Sequence, residues 1–208
     1  MACLPMGDKA NKIKSMKGII LSAGAGSRLF PLTLISNKQL QPVYDKPMIY
    51  YPLTTLLEYG FRDIAIITTP DEQHLYKRLL GDGSNFGSSI SYFVQDVPRG
   101  IAEAFIICKD FIGDDMVSLI LGDNIYSPGC RFISYKEMSE LKSDASNWNG
   151  ARVFGYHVEN PEQYGVVAFD DDNRVTVIEE KPTYHLSNYA VPGFYIYDND
   201  VVSIAENL

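Results

Sequence analysis

Cysteine is scarce in this chain. Cys3, Cys108 and Cys130 are odd in number and widely spaced. They build neither a disulfide framework nor a zinc cluster, and a reducing cytoplasm is the expected setting. Histidine is as rare. His74, His157 and His185 stand apart from one another and from other ligand types, and read as surface or packing residues. No uninterrupted apolar run reaches the length of a bilayer span, so no membrane partner is expected. The first 15 residues carry Lys9, Lys12 and Lys14 but no apolar centre. A disordered extension is expected there, not a signal peptide. Positive charge is in deficit: 18 Lys and Arg stand against 26 Asp and Glu, for a net charge of −8. That argues against nucleic acid as a partner, yet leaves room for a nucleotide held by a local cluster of cations. No internal repeat and no Pro-, Gly- or Ser-rich linker divides the chain.

What is present is a globular balance. The 208 residues are 46% hydrophobic, 21% charged and 12% aromatic, enough to close one sizeable core. A single domain over residues 16–208 is expected. Patterning predicts strands over 17–21, 63–68, 90–94 and 117–121. Helices are expected over 47–60, 71–80, 101–111 and 131–141, with Phe132, Tyr135, Met138 and Leu141 on one face of the last. This alternation implies βαβ crossovers and an α/β fold: a mostly parallel sheet, Rossmann-like, with helices on both faces. The style then changes. Residues 165–169 and 175–179 flank Asp170-Asp171-Asp172-Asn173 and read as a hairpin. A further strand is expected over 191–197 and a helix from about residue 200. We expect a mixed sheet, with this hairpin over the mouth of the site.

The chemistry begins after the first strand. Residues 19–28 read IILSAGAGSR, an apolar strand entering a small-residue loop. Gly and Ala let backbone N–H groups approach an anion closely, and Arg28 and Lys38 supply positive charge. Two common phosphate motifs do not fit. A Walker A loop would have Lys after its last glycine, where Gly26 is followed by Ser27-Arg28. A dinucleotide fingerprint needs a small residue where Leu29 stands. In open α/β sheets ligands sit beyond the carboxyl ends of the strands. Three stretches fall there: 23–28, 95–100 and 121–124. Asp123, directly after a strand and Gly122, is placed either to hold Mg²⁺ or to cap the next turn. Gln95 carries an amide able to read a pyrimidine edge, or lies on the surface. Glu179-Glu180-Lys181-Pro182 closes the hairpin, either as a solvated edge or as part of a site.

Several stretches together resemble a known family. Gly24-Ala25-Gly26-Ser27-Arg28-Leu29, Pro31, Thr33, Lys38, Pro42-Val43 and Lys46-Pro47-Met48 are similar to the signature of the sugar-nucleotidyltransferases. Tyr44-Asp45-Lys46-Pro47-Met48-Ile49-Tyr50-Tyr51-Pro52-Leu53 is most similar to the glucose-1-phosphate thymidylyltransferase branch. The likeness runs from about residue 17 to 208. It implies transfer of a thymidylyl group from dTTP to glucose 1-phosphate, giving dTDP-glucose and pyrophosphate for dTDP-sugar and polysaccharide synthesis. It implies Arg28, Lys38 and Lys181 as catalytic cations and Asp123 as a ligand of Mg²⁺. Substrate contacts are implied at Ala23, Gly24, Gly26, Gln39, Gln95, Gly100, Gly165, Glu180 and Val191. A homo-oligomer, dimer or tetramer, is implied as well.

The chain departs from the pattern in places. Ala23 stands where the family has Gly, and Asp96-Val97-Pro98-Arg99 replaces the usual run after Gln95. The family continues past the position of Leu208, where a second metal-binding Asp lies, so a truncated domain is expected. Another nucleotide or sugar phosphate, or a non-catalytic nucleotide-sugar-binding module, remains the alternative.

Overall fold

A computed structural model describes residues 16–24, 26, 29–126, 133–145 and 147–208. The extension expected over residues 1–15 lies outside them. In chain order the strands and helices are β1 (Met16–Ser22), β2 (Pro42–Val43), β3 (Lys46–Pro47), α1 (Tyr50–Glu58), β4 (Asp63–Thr68), α2 (Gln73–Leu80), β5 (Ser89–Val94), α3 (Glu103–Ile107), α4 (Lys109–Ile112) and β6 (Met116–Leu121). There follow α5 (Tyr135–Ser143), β7 (Ala151–Val153), β8 (Tyr156–His157), β9 (Gly165–Phe169), β10 (Val175–Glu180), β11 (Tyr189–Ala190), β12 (Phe194–Tyr197) and α6 (Asp200–Glu206).

The main sheet has the order β5-β4-β1-β6-β12-β7. Its first four strands are parallel, and β12 runs antiparallel to both β6 and β7. The four parallel strands are apolar on both sides, as a sheet covered on both faces requires. Ile20, Ile64, Ile66 and Ile120 face α1, α2 and α5 through Leu53, Leu56, Tyr76, Leu80, Met138 and Leu141. Ile19, Ala65, Ile67 and Leu119 face α3, α4 and α6 through Ala104, Phe105, Ile112, Val201, Val202 and Ala205. Each fully buried Ile or Leu contributes about 1.5–3 kcal/mol relative to exposure. Because the four strands are parallel, their carboxyl ends share one edge of the sheet. No helix among the described residues is long and apolar enough to cross a membrane.

Several expected boundaries need correction. The helix expected over 47–60 begins at Tyr50. Pro47 instead pairs with Pro42 in the short β2–β3 hairpin, because the amides of Met48 and Ile49 are drawn to the carbonyls of Gln41 and Gln39. The helix expected over 101–111 is broken at Cys108, whose carbonyl receives Ile112 N at 2.8 Å to start α4. The helix expected from residue 131 is described only from Tyr135, and Phe132 lies outside the described residues. Ser134 caps α5: its Oγ accepts from Glu137 N at 3.1 Å, and the Glu137 carboxylate accepts from Ser134 N at 3.0 Å.

The strands form two principal sheets. The hairpin is present, but β9 and β10 belong to a separate four-stranded antiparallel sheet, β10-β9-β11-β8. The strand expected over 191–197 shrinks to Phe194–Tyr197 because the chain crosses between the sheets there. Val191 N donates to Gly165 O in the second sheet at 2.8 Å, and Gly193 O accepts from Leu121 N in the first at 3.0 Å.

Candidate active site

The edge formed by the carboxyl ends of β1, β4, β5 and β6 gathers most of the expected residues. The loop after β1 leads off. Ala23 is buried and joins the core cluster of Ile19 and Ala104. It is not among the described non-glycine residues with positive φ, so its methyl sits in an ordinary backbone conformation on the core side. Gly24 is exposed with open space where a Cβ would be. Gly26 has a φ of +60°, and a Cβ there would lie 2.8 Å from Thr33 Cγ2 and 3.3 Å from Lys38 Cβ. Glycine is required at that point both by conformation and by the close approach of the Lys38 turn. Arg28 lies outside the described residues.

Lys38 opens a short 3-10 turn, Lys38–Leu40, capped by Asn37. Its ammonium forms an ion pair with Asp123 Oδ2, and both side chains keep about a quarter of their surface in water. The two residues come from the loops after adjacent parallel strands. Gln39 follows, buried, and its carbonyl Oε1 has no hydrogen-bond partner. Ser22 Oγ is also buried without one. Gly122 separates them: a Cβ there would overlap Ser22 Oγ and lie 3.1 Å from Gln39 Cγ.

Gln95 follows β5. It is buried, its N–H donates to Thr68 O at 2.9 Å, and its amide Nε2 donates to Glu103 Oε2 at 2.7 Å. The same Glu103 receives Arg99 Nη1 at 3.5 Å. One of the two Nε2 hydrogens of the Gln95 amide is thus committed to Glu103. Gly100, with a φ of +100°, is exposed.

The β9–β10 hairpin carries Gly165 and Glu180, with Lys181 directly after it. Glu180 pairs with Gly165 across β9 and β10, and a Cβ on Gly165 would lie 3.0 Å from Glu180 Oε2. Lys181 adopts a φ of +48°, its amide donates to Tyr164 O at 2.9 Å, and its ammonium pairs with Glu180 Oε1 at 3.3 Å. The left-handed backbone of a non-glycine residue at this point is the kind of local strain found at binding sites. Burial, and secondarily the Glu180 carboxylate, push the Tyr195 hydroxyl above its ordinary range.

Two further residues hold this geometry. Asn124 Nδ2 and Tyr126 OH both donate to Pro192 O, the latter at 2.6 Å. Gly193 makes room for that approach, since a Cβ on it would overlap Asn124 Nδ2 and lie 2.7 Å from Leu121 Cδ1. The strand-end position of Asn124 is legible in the sequence. Its partner 68 residues away is not.

One partly exposed carboxylate suits a cation that takes one or two protein carboxylates and completes its shell with phosphate oxygens and water, as Mg²⁺ does. No group of three His, Cys, Asp or Glu side chains among the described residues would hold a metal alone. The arrangement thus offers cations for phosphates, a carboxylate for a hard metal and glycines that admit a ligand to the backbone.

A glycine-lined loop and a Lys–Asp pair at neighbouring strand ends of a doubly covered α/β sheet suit a phosphate-bearing ligand. The nucleotidyl transferase family profile matches residues 17–208, and the chain belongs to that family. It is 53% identical over 193 residues to a glucose-1-phosphate thymidylyltransferase of Neisseria meningitidis serogroup A, covering 93% of this chain and 65% of the relative. It is 52% identical over 194 residues to that of Mycobacterium tuberculosis, with the same coverage. The chain therefore spans a little under two thirds of the length of these relatives. A Bacillus anthracis protein assigned to the same enzyme, solved with sucrose, superimposes with a TM-score of 0.82 at 40% identity. The match covers 93% of this chain and 76% of that one. A UDP-glucose pyrophosphorylase solved with UDP-glucose shares the fold, with a TM-score of 0.75 at 24% identity.

Proposed function

We propose that this chain carries out thymidylyl transfer from dTTP to glucose 1-phosphate. The observation that carries the reading is the Lys38–Asp123 pair, which brings a phosphate-binding cation and a metal-capable carboxylate together at the ends of β1 and β6. The names of the relatives supply the substrates. A phosphate oxygen of glucose 1-phosphate attacks the α-phosphorus of dTTP. The new O–P bond forms as the bond to the β-phosphate oxygen breaks, and pyrophosphate leaves with that electron pair. The attacking phosphate is already ionised, so no protein nucleophile is needed, and catalysis is positioning plus charge neutralisation.

Arg28 binds the β- and γ-phosphates and the departing pyrophosphate. Lys38 and Lys181 offset the repulsion between the two anionic substrates. The amides of Ala23, Gly24 and Gly26, with the Gln39 and Gln95 amides and Gly100, bind the nucleotide. Gly165, Glu180 and Val191 line the sugar side. Mg²⁺ held by Asp123 would act as a Lewis acid on phosphate oxygens. We propose a cytoplasmic homo-oligomer, dimer or tetramer, as the setting, which light scattering of the eluted protein tests.

Pyrophosphate release with glucose 1-phosphate and each of dTTP, UTP, CTP and GTP tests the reaction. Turnover with dTTP is expected. Turnover only with another nucleotide would overturn the base assignment, and binding without turnover would make the chain a nucleotide-sugar-binding module. Arg28→Ala and Lys181→Ala are each expected to lower kcat by at least roughly a hundredfold, the scale of one lost preorganised charge contact. Near-wild-type rates would remove those residues from the mechanism.

A further inference from the structure

We propose that Glu72, acting through Asn37, is a positioning residue for Lys38. The inference rests on the nucleotidyl-transfer reading of the site. Glu72 lies at the junction of β4 and α2, in the position immediately before that helix, yet its carboxylate makes no cap to the helix amides. It turns instead to the Lys38 turn, where its Oε1 accepts the backbone N–H of Asn37. Its other oxygen accepts Thr69 Oγ1 at 3.2 Å, so both oxygens are engaged and its direction is set from β4.

Asn37 is itself buried, and both ends of its side-chain amide are engaged. Its Nδ2 donates to Ser22 O, the last residue of β1, at 3.1 Å, and its Oδ1 accepts Gln39 N at 3.1 Å. Its carbonyl accepts Leu40 N at 3.0 Å. The residue before Lys38 is therefore bonded to the carboxyl end of β1 and, through Glu72, to that of β4. The residue after it is buried. Lys38 presents its ammonium to Asp123 from a backbone tied at both sides. A flexible four-carbon side chain gains reach and direction from such a base, because little freedom is left to lose when it binds phosphate.

The role is steric and directional, not electrostatic. A Gln at position 72 keeps both contacts: its carbonyl accepts the Asn37 amide, and its amide donates to the Thr69 hydroxyl. An Ala keeps neither. The test combines hydrogen exchange across residues 36–41 of the full chain with steady-state kinetics. Glu72→Ala is expected to speed exchange of the Asn37 amide while β1 and β6 stay protected. It is also expected to lower kcat by roughly ten- to a hundredfold, the cost of a misplaced catalytic group. Glu72→Gln should match wild type in both readouts. In a Lys38→Ala background, Glu72→Ala should cost nothing further, because residues acting through one another are not additive.

Unchanged exchange in Glu72→Ala overturns the proposal. So does an equal loss in Gln and Ala, which would mark the charge as the active feature, and so does an additive loss in the Lys38→Ala background. Should Glu72→Ala fail to fold, Thr69→Val removes one anchor of the carboxylate and carries the same comparison. If the wild-type chain turns over no substrate, the proposed reaction falls and exchange alone decides the clamp.

Discussion

Gly122→Ala is the most demanding perturbation of this site. No positive φ is recorded for Gly122, so alanine fits its backbone conformation and the cost is steric alone. The added Cβ would overlap Ser22 Oγ and lie 2.9 Å from the carbonyl oxygen of Leu21, about half an ångström short of ordinary contact at 3.4 Å. The Ser22 side chain can rotate away. The Leu21 carbonyl cannot easily yield, because β1 is bonded to β4 on one side and β6 on the other. Relief must come from parting β1 and β6 at the point where Asp123 leaves the sheet. Overpacking of this kind costs roughly 1–3 kcal/mol. In a domain of this size that corresponds to a Tm drop of roughly 2–12 °C. Displacement of Asp123 by about half an ångström is expected to lower kcat by roughly ten- to a hundredfold as well. Urea denaturation with an unchanged m-value and pyrophosphate release measure the two effects. The control is Gly24→Ala, where no atom lies within 4 Å and stability should stay within about 0.5 kcal/mol of wild type. Wild-type stability and turnover in Gly122→Ala would refute the reasoning.

Two other predictions concern groups whose titration burial shifts. Burial, and secondarily Arg62, lower the pKa of Lys142 from 10.5 to about 8, although its ammonium donates to Tyr59 O at 2.6 Å and sits 4.5 Å over the Phe61 ring. The folded state then releases this proton at lower pH than the unfolded chain. Between about pH 8 and 10.5 the unfolded state binds more protons, so this group makes stability rise with pH. Partial exposure limits the gain to less than about 1 kcal/mol. Urea titrations of wild type and Lys142→Met at pH 7.5 and 10 should show the difference, and a fall in relative wild-type stability would contradict it. Cys108 is fully buried and its thiol is pushed up to about 12 by that burial. Peptide mapping after brief treatment with a thiol reagent at pH 8 should find Cys108 unmodified in the native protein and modified in urea. Labelling in the native state would show that α3 and α4 open locally.

The strands that carry the site were legible because each is a short apolar run bounded by turn residues. The expected strand over 63–68 and the observed β4 coincide. The hairpin was equally legible from its two runs and the acidic turn between them. The strands β7, β8 and β11 were not, because two or three residues hold no period to read. The capping box of Ser134 and Glu137 is a four-residue pattern and was available in the sequence. The contacts of Asn37 were not available, since its partners are Ser22, 15 residues before, and Glu72, 35 residues after.

By itself, then, the sequence determined where the longer strands and helices lie, that the parallel sheet is covered on both faces, and that glycine-rich and charged loops follow its strands. Those properties depend on local periodicity and turn chemistry, which act over a few residues. Only the tertiary structure decided that β9 and β10 leave the main sheet, that Lys38 meets Asp123, and that Gln95 commits its amide to Glu103. These depend on strand order and crossover geometry. Placing β1 between β4 and β6 brings the ends of three strands, distant in sequence, within reach of single side chains.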